Sequence, residues 1–359
     1  MRLAPREAVT AARVAARGNL GRYSNDDTSE TDRLETELGR FAGVDHVLAV
    51  NSGTSALVCA LVGLEIGAGD EVLIPGYTFV ATAAAIAAVG ATPVLVEIDE
   101  SLTMDPADLG AKITPKSRCV IPVHMRNSPA DLDAIGATAR AADLIMIEDA
   151  CQAAGVRYRG QPLGSFGHVA TFSFNQFKNM RAGEGGALLT SDAVVHARAG
   201  RYHDVGSYMR ERDSFAAHPP TAGLNLRMPE LCSAILRPQL AGIDRQMARR
   251  HARREIYVDA LTSVEGVRPT PHHSPDDAVG FSIGFDDPDH AKSVADRGGG
   301  ELLRNSKGHV FDLWEPFGFD PESCPATVKI LARTIGVNPG AAAPMALVRR
   351  RAAALAAAI

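Results

Sequence analysis

The stretch HVLAVNSGTSALVCALVGLEI (residues 46–66) carries the two periodicities that decide the fold. Its first five residues are a short apolar run, which is typical of a strand buried on both faces of a parallel sheet. Residues 54–66 are rich in alanine and leucine, which favour helix, and they follow directly after a polar turn. This order of strand, turn and helix predicts an α/β unit.

Six further apolar runs repeat this pattern along the chain. They are EVLIP (71–75), TPVLVEI (92–98), CVIPVH (119–124), LIMIED (144–149), VATFSF (169–174) and GALLTS (186–191). Alanine-rich stretches such as residues 78–90 lie between most of them and suit crossover helices. The alternation predicts an α/β fold with a mostly parallel, seven-stranded sheet flanked by helices.

The chain of 359 residues is longer than the range in which a single hydrophobic core usually grows. Residues 223–261 predict a long helical segment, and the proline- and histidine-rich residues 268–277 predict a loop. The run VGFSIGF (279–285) then reads as a new strand. We therefore expect a large domain over residues 1–262, including an N-terminal arm, and a smaller C-terminal α+β domain over residues 263–359.

Both ends of the chain also predict helices. The first 40 residues are typical of two helices joined by the irregular segment 18–31, with the second helix capped near residues 28–31. The alanine-rich residues 338–359 predict one terminal helix.

Composition argues against several classes of partner. The net charge is −5, so no basic surplus indicates a nucleic-acid or anionic membrane partner. Arginine clusters at residues 245–254 and 349–351 are more typical of solvated helix faces or subunit contacts. The five cysteines are scattered, with no CxxC pair, which favours neither a disulfide framework nor a zinc site and suits the cytoplasm. No run of 18 apolar residues predicts a membrane span.

Polar residues stand at the ends of two predicted strands, where open α/β sheets bind ligands. Gly53 and Thr54 follow the first strand and begin a helix, whose N-terminal amides suit a phosphate group, although ordinary turns show the same pattern. Asp149 ends the run LIMIED. It either caps the next helix or pairs with a cationic heterocycle nitrogen, and its position leaves both uses open.

The segment FSFNQFKNMRAGEGGALLTSD (172–192) contains a single lysine, Lys178. A lone lysine is usually a solvated surface charge. Here three phenylalanines offer apolar walls, Ser173 offers a hydroxyl, and GEGG permits tight turns. An amine enclosed in this way is more readily neutral, which is the form that attacks a carbonyl. A phosphate site, an acidic partner and a lysine belong together if the ligand is pyridoxal 5'-phosphate.

Six segments occur in an order and spacing typical of one enzyme family. They are NSGTSAL (51–57), PGYTFVATA (75–83), PVHMRNSPADLDAI (122–135), IEDACQAAG (147–155), FSFNQFKNMRAGEGGALLTSD (172–192) and GLNLRMPELCSAI (223–235). The chain therefore resembles, over roughly residues 10–262, the DegT/DnrJ/EryC1/StrS sugar aminotransferases, which are fold-type I pyridoxal phosphate enzymes.

The resemblance implies a role for each matching residue. Lys178 would bind the cofactor covalently and act as the acid and base for proton transfer. Asp149 would hold the pyridinium nitrogen, and Gln152 would lie near the ring oxygen. Phe79 would stack on the cofactor ring.

The phosphate end of the cofactor is assigned in the same way. Gly53, Thr54 and Ser173 would bind the phosphate group. Asn225 would reach the same phosphate from the partner subunit, so the active form would be a homodimer with shared sites.

The resemblance also implies a reaction. An amino group would pass from glutamate or glutamine to a keto-sugar, most often nucleotide-linked, or to a related keto-cyclitol in specialised metabolite biosynthesis. Two alternatives stay open: a pyridoxal phosphate-dependent dehydratase or decarboxylase on the same scaffold, and a non-catalytic sensor that retains the fold.

The chain departs from the family pattern at residues 125–127. Asn127 stands where glycine is usual, and asparagine tolerates the left-handed conformation better than most residues. Arg126 replaces a small or aromatic residue and is a candidate substrate contact, together with Tyr23 and His309. Trp314 is a further candidate. His309 is equally consistent with a hydrogen-bonded structural histidine, and Trp314 with a residue of the hydrophobic core.

Overall fold

The computed structural model describes residues 3–23, 29–206, 222–339 and 343–359. Among the helices of these four ranges, none is long and apolar enough to cross a membrane.

The largest element is a seven-stranded sheet. In chain order its strands are His46–Val50 (β1), Glu71–Pro75 (β2), Thr92–Val96 (β3), Ser117–Val120 (β4), Ile145–Asp149 (β5), Val169–Ser173 (β8) and Gly186–Thr190 (β9). A short ribbon of Arg157–Tyr158 (β6) and Gln161–Pro162 (β7) lies between β5 and β8. The strand order is β1-β9-β8-β5-β4-β2-β3. Only β9 runs antiparallel to its neighbours, which confirms the prediction of a mostly parallel sheet.

Five helices flank this sheet, as the alanine-rich segments predicted. They are Gly53–Gly63 (α3), Ala81–Ala88 (α4), Pro106–Lys112 (α5), Leu132–Ala141 (α6) and Ala193–His203 (α7). Four of them begin at a side chain that accepts a hydrogen bond from a first-turn N–H group, and these caps are Ser52, Asp105, Asp131 and Asp192. Polar side chains therefore fix the start of four of the five helices, whereas α4 begins after Val80 without a side-chain cap.

The N-terminal arm contains the helices Pro5–Arg17 (α1) and Glu30–Ala42 (α2). Ser29 caps α2 by accepting a hydrogen bond from the Asp32 N–H group at 3.0 Å, within the predicted stretch. Residues 24–28 of the predicted irregular segment lie outside the described residues.

The predicted helical segment 223–261 is wrong in two respects. It contains two helices, Glu230–Leu240 (α8) and Ile243–Leu261 (α9), separated at Ala241 and Gly242. Its first residues are extended and pair with the edge of the sheet, because Leu226 accepts a hydrogen bond from the Asn51 N–H group at 2.8 Å. Helical periodicity alone did not show this edge contact.

The C-terminal region contains a second, antiparallel sheet. Its strands are Val267–Pro269 (β10), Ser282–Phe285 (β11), Glu301–Leu302 (β12) and Thr334–Gly336 (β13), in the order β10-β11-β13-β12. The helices of this region are Pro288–Asp296 (α10), Pro325–Ala332 (α11) and Met345–Ala358 (α12). Single 3₁₀ turns span Met125–Asn127, Pro275–Asp277, Leu303–Asn305, Phe311–Leu313 and Pro321–Ser323.

Core contacts cross the predicted domain boundary at residue 262 in both directions. Tyr257 and Leu261, at the end of α9, pack with Phe281 and Ile283 of the small sheet region. In the opposite direction, Trp314 packs into the core of the large sheet and is 3% exposed. Trp314 is therefore a core residue, and the boundary at residue 262 stays a prediction.

Gly186 in β9 lies against the turn between β1 and α3, where Ser52 stands. A Cβ atom on Gly186 would overlap the carbonyl oxygen of Ser52, which caps α3. We expect Gly186→Ala to lower the free energy of unfolding by about 1–3 kcal/mol, because the clash involves two backbone segments that cannot rotate away. Urea denaturation measures this loss.

Gly110→Ala is the matched control, since a Cβ atom there meets no atom within 4 Å. In the interior of helix α5, alanine should stabilise the protein slightly. Equal effects of the two substitutions would contradict a close contact between β9 and the Ser52 turn.

Candidate active site

A cavity of about 800 Å³ opens at the carboxyl ends of β1, β5 and β8. It brings together nine of the candidate residues: Gly53, Thr54, Phe79, Arg126, Asp149, Gln152, Ser173, Lys178 and His309. These residues come from six separate segments of sequence. The fold therefore assembles in one place what the sequence suggested piece by piece.

The first wall of the cavity is the N-terminus of α3. Ser52 Oγ accepts from the Ser55 N–H group at 3.0 Å, and the first intrahelical bond runs from the Ala56 N–H group to the Ser52 carbonyl. The N–H groups of Gly53 and Thr54 precede that bond and have no intrahelical acceptor. Such amides, at the positive end of a helix dipole, suit a phosphate group.

Ser173, at the end of β8, closes this wall. A Cβ atom on Gly53 would lie 2.8 Å from the Ser173 Cβ and 3.0 Å from the Cys151 Sγ. Only glycine therefore lets the helix start approach β8 so closely. The two backbone amides and the Ser173 hydroxyl form a polar cup, which we call the phosphate cup (Gly53, Thr54 and Ser173).

Asp149 lies at the end of β5 and is 3% exposed. Its Oδ2 accepts from Thr82 Oγ1 at 3.1 Å, and its Oδ1 accepts from the Cys151 N–H group at 3.1 Å. Among the described residues, no arginine, lysine or histidine forms an ion pair with this carboxylate. A buried carboxylate without a cation is costly, so the site fits a ligand that brings a protonated nitrogen.

Lys178 lies in the loop between β8 and β9. Hydrogen bonds fold this loop tightly: the Lys178 N–H group donates to the Asn175 carbonyl at 2.9 Å, and the Phe174 N–H group donates to the Gly185 carbonyl at 2.8 Å. The half-buried Lys178 side chain lines the cavity. The surroundings of this side chain are therefore set by the loop rather than by a helix or strand.

The expected apolar walls around Lys178 are wrong for two of the three phenylalanines. Phe172 and Phe174 are fully buried in the core on the other side of the loop and do not line the cavity. Phe177 does line it, but is 84% exposed. Alternation along the strand sends Phe172 and Phe174 to the same face, away from the cavity, which sequence proximity to Lys178 did not reveal.

Gln152 and Phe79 come from different sequence segments, and both line the cavity. Gln152 Oε1 accepts from the Arg126 N–H group at 3.0 Å, which leaves its amide NH₂ as a donor toward a ligand. Phe79 is 45% exposed and lies tilted against His309, with ring centroids 5.4 Å apart. An exposed aromatic face in a cavity is a platform for a planar ligand.

His309 is held by its own loop. Its Nδ1 lies 2.9 Å from Ser306 Oγ, and its carbonyl accepts from the Thr78 N–H group at 3.0 Å. Burial lowers the pKa of His309 to about 4, while the Glu301 carboxylate opposes the shift and the Lys178 and Arg126 cations add to it. His309 is therefore neutral at pH 7 and offers a hydrogen bond rather than a charge.

Residues 126 and 127 both adopt the left-handed conformation, with φ of 54° and 64°. The expectation for Asn127 is confirmed, and its Oδ1 also accepts a hydrogen bond from Asn179 Nδ2 at 2.6 Å. The same conformation at Arg126 is unexpected, because arginine rarely adopts it.

Two candidate residues do not line this cavity. The Tyr23 hydroxyl lies 2.8 Å from His203 Nε2, and Tyr23 belongs to the N-terminal arm. Asn225 is exposed, on the extended segment that pairs with Asp204. Within one chain, neither residue contributes to the site.

Several cavity residues were missed from the sequence. Thr82, which binds Asp149, lies inside the quoted segment PGYTFVATA but faces the cavity only through the packing of α4. Arg250 lies in the basic run 245–254 that predicted a solvated helix face. Among the described lining residues, Arg126, Lys178, Arg181 and Arg250 are cationic, whereas Asp149 and Glu184 are anionic. This excess of cations favours anionic ligands.

Comparisons with known proteins agree with this geometry. The sequence profile of the DegT/DnrJ/EryC1/StrS aminotransferase family matches residues 8–289. The dTDP-3-amino-3,4,6-trideoxy-alpha-D-glucose transaminase of Streptomyces venezuelae is 40% identical over 262 residues, which cover 72% of this chain and 67% of that relative. The L-glutamine:2-deoxy-scyllo-inosose aminotransferase of Micromonospora echinospora is 36% identical over 256 residues, which cover 69% of this chain and 60% of that relative.

The similarity extends to the whole fold. The crystal structure of 3-amino-5-hydroxybenzoic acid synthase superimposes with a TM-score of 0.87 at 28% identity, covering 99% of this chain and 97% of that one. The small antiparallel sheet, which the sequence segments did not cover, is therefore part of a shared architecture.

The lowered pKa of His309 predicts acid sensitivity. Between the ordinary histidine pKa of about 6.5 and the folded value, the unfolded chain binds a proton that the folded chain does not, so stability falls as the pH falls. We expect His309→Gln to remove up to about 3 kcal/mol of the stability lost between pH 7 and pH 4. Unfolding curves at several pH values measure this.

His203 and His272 retain the same dependence in that variant, since burial lowers their pKa values to about 4 and about 3. The variant should therefore keep part of the acid sensitivity and match the parent protein at pH 8. An unchanged loss of stability on acidification would contradict the buried, neutral state of His309.

Proposed function

The chain belongs to the DegT/DnrJ/EryC1/StrS family of pyridoxal phosphate-dependent aminotransferases, and we propose that it transfers an amino group from glutamate or glutamine to a keto-sugar or keto-cyclitol in specialised metabolism. The observation that carries this proposal is a single cavity that contains the phosphate cup, the unpaired carboxylate of Asp149 and the amine of Lys178. Each of the three has a weak meaning alone. Together they match the three chemical groups of one cofactor.

The substrate class follows from the relatives. One relative is named for a nucleotide-linked amino-sugar and another for a cyclitol, and identities of 40% over 262 residues and 36% over 256 residues do not separate the two classes. Both acceptors are polyhydroxylated ketones. A cavity with hydrogen-bonding groups from Gln152, His309 and Asn338 suits such a molecule.

The residues present fit pyridoxal phosphate. Gly53, Thr54 and Ser173 would hold its phosphate, Asp149 its protonated ring nitrogen, and Lys178 its aldehyde carbon. Phe79 would cover one face of the ring. Pyridoxal phosphate supplies an aldehyde that binds amines and a protonated ring that takes up electron density from the reacting carbon.

The protein's own part in the reaction is to position groups and to move protons. Lys178 Nζ, when it is not bound to the cofactor, is the base that removes a proton from the α-carbon of the amino donor. It is also the acid that returns this proton to the adjacent carbon on the cofactor side. Hydrogen bonds from Thr82 and Cys151 to its two oxygens hold the Asp149 carboxylate in place toward the ligand. Burial keeps Cys151 protonated by raising its pKa, so this thiol does not compete as a nucleophile.

The assembly is also part of the proposal. Asn225 is exposed and lies outside the cavity of its own chain, which agrees with a role at the phosphate cup of a second copy. The enzyme would then be a homodimer in which each site needs one residue from the partner.

The central test is the donor half-reaction. Purified enzyme loaded with pyridoxal phosphate is mixed with L-glutamate or L-glutamine, and the absorbance of the bound cofactor is followed as it converts to the pyridoxamine form. We expect conversion by the wild type and a loss of at least about 10³-fold in rate for Lys178→Ala, because the proton carrier is removed.

Lys292→Ala is the matched control, since Lys292 forms an exposed ion pair with Asp296 far along the chain in helix α10. It should react like the wild type. If no amino acid converts the wild-type cofactor, the aminotransferase proposal fails, and release of water or carbon dioxide from a test substrate would favour the alternative reactions.

Mixed dimers test the shared site. We expect Lys178→Ala and Asn225→Asp to lower activity strongly as separate homodimers, the second because a carboxylate repels the phosphate. After the two variants are mixed and reassembled, about one site in four should be intact, since a heterodimer then has one site without either change.

The half-reaction assay measures this recovery against each variant alone. Asn225→Ala serves as the milder companion, which loses the hydrogen bond without adding a charge. Recovery no greater than the sum of the two separate variants would contradict a contribution of Asn225 across the interface.

A further inference from the structure

We propose that Arg126 binds the α-carboxylate of the amino donor. The weak ion pair between Arg126 and Glu301 is exchanged for this carboxylate when the donor binds. The inference rests on the proposed transamination. It assigns a donor-recognition role to a residue at which the chain departs from its family.

The backbone of Arg126 is fixed from three sides. Its N–H group donates to Gln152 Oε1 at 3.0 Å, its carbonyl oxygen packs against the Cα atom of Gly280, and its φ of 54° lies in the left-handed region. An unfavourable conformation persists only where the surroundings impose it, and such positions concentrate at functional sites. The start of the Arg126 side chain is therefore well defined.

The guanidinium group lies at the junction of the two sheets. It packs over Gly336 of β13, where a Cβ atom would overlap its nitrogen, and it lies near the fully buried Tyr77, where its charge opposes the rise in the Tyr77 pKa that burial causes. The side chain is 25% exposed and lines the cavity. The absence of a side chain at Gly336 is what makes room for it.

The hydrogen-bonding capacity of Arg126 is not fully used. Its buried Nε has no partner among the described residues, and its Nη1 lies 3.9 Å from the Glu301 Oε2. That separation is longer than the 2.7–2.9 Å typical of a strong charge-assisted hydrogen bond. The Glu301 side chain is also 55% exposed, so this ion pair contributes little and is easily exchanged for a ligand carboxylate.

The position of Arg126 favours the donor over the acceptor as its ligand. It is bonded to Gln152 of the cofactor site, and it and Lys178 both lie close enough to His309 to lower the pKa of that ring. In an amino acid, the α-carboxylate is attached directly to the carbon from which Lys178 removes a proton. In a nucleotide-linked sugar, the diphosphate is separated from the reacting carbon by the sugar ring and lies farther out.

Exchange between Glu301 and a carboxylate also accounts for how one cavity accepts two different substrates. A donor with a charged carboxylate would take Arg126 from Glu301. When the acceptor carries a neutral hydroxyl at that place, the guanidinium returns to Glu301, so no buried cation is left unpaired.

The test compares variants in the donor half-reaction, measured in the loaded enzyme by stopped-flow absorbance over a range of L-glutamine concentrations. Arg126→Asn removes the charge and keeps a residue that tolerates the left-handed backbone. We expect the donor concentration at half-maximal rate to rise about 10–100-fold, with a smaller change in the maximal rate, and Arg126→Lys to restore part of the affinity.

A second measurement tests the carboxylate itself. 4-Aminobutanamide is glutamine without its α-carboxylate, and its dissociation constant is measured as an inhibitor of the same reaction. The wild type should bind it at least about tenfold more weakly than glutamine, and Arg126→Asn should bind the two molecules about equally. A purely structural role of Arg126 would weaken both molecules alike and so would contradict the proposal.

The controls separate the remaining explanations. Arg268→Met, which breaks the exposed ion pair with Asp286, should leave donor binding unchanged. If Arg250→Met rather than Arg126→Asn abolishes the preference for the carboxylate, the assignment to Arg126 is wrong. It is also wrong if Arg126→Asn weakens only the binding of a nucleotide-linked keto-sugar, measured in the acceptor half-reaction. The guanidinium would then bind the diphosphate.

Failure of this inference is distinguishable from failure of the proposed function. If no amino acid, glutamate and glutamine included, converts the wild-type enzyme, the transamination itself is wrong. If glutamine converts the wild type and Arg126→Asn with the same concentration dependence, transamination stands and the role of Arg126 is refuted.

Discussion

A buried carboxylate without a cationic partner is the constraint on which the site depends. Asp149 ends the central strand β5, where its oxygens accept hydrogen bonds from Thr82 and Cys151 and no described cation neutralises it. Such a charge is tolerated in a protein interior only if a ligand compensates it. The protonated nitrogen of pyridoxal phosphate would do so in the proposed site, and the cofactor would then be part of the electrostatic balance of the fold. The fully satisfied pair of His124 and Glu148, one residue earlier on the same strand, shows the contrast, because Glu148 also binds the Gly164 and Phe166 N–H groups.

The antiparallel strand β9 explains why Lys178 lies in the same cavity as this carboxylate. Because β9 returns beside β8 and inserts between β8 and β1, the loop that joins β8 to β9 must turn at the carboxyl end of the sheet. The same insertion brings Gly186 against the Ser52 turn, so that the lysine loop and the phosphate cup are fixed to one another. One strand of reversed direction therefore fixes the loop of Lys178 relative to the helix start at Gly53.

The C-terminal region supplies part of the cavity wall. Residues 303–331 pack against the large sheet through Phe311 and Trp314, and they place His309 beside Phe79. Gly336 and Glu301 surround the guanidinium of Arg126. Substrate selection by these residues would depend on contacts across the junction of the two sheets, whereas the phosphate cup, Asp149 and Lys178 belong to the region of the large sheet.

From the sequence alone, one can predict the seven strands, most of the flanking helices and nine residues that the fold brings into one cavity. These features depend on local periodicity, or on strand ends that meet at one edge of a parallel sheet, and both can be read from short segments such as residues 46–55. The sequence did not show the division of residues 223–261 into an extended edge and two helices, the burial of Phe172 and Phe174 in the core away from the cavity, or the cavity position of Arg250. Only the tertiary structure decided these, because each depends on which distant surface a residue packs against. The left-handed conformation of Arg126 is a further case, since the contacts that impose it come from Gln152 and Gly280, far away in sequence.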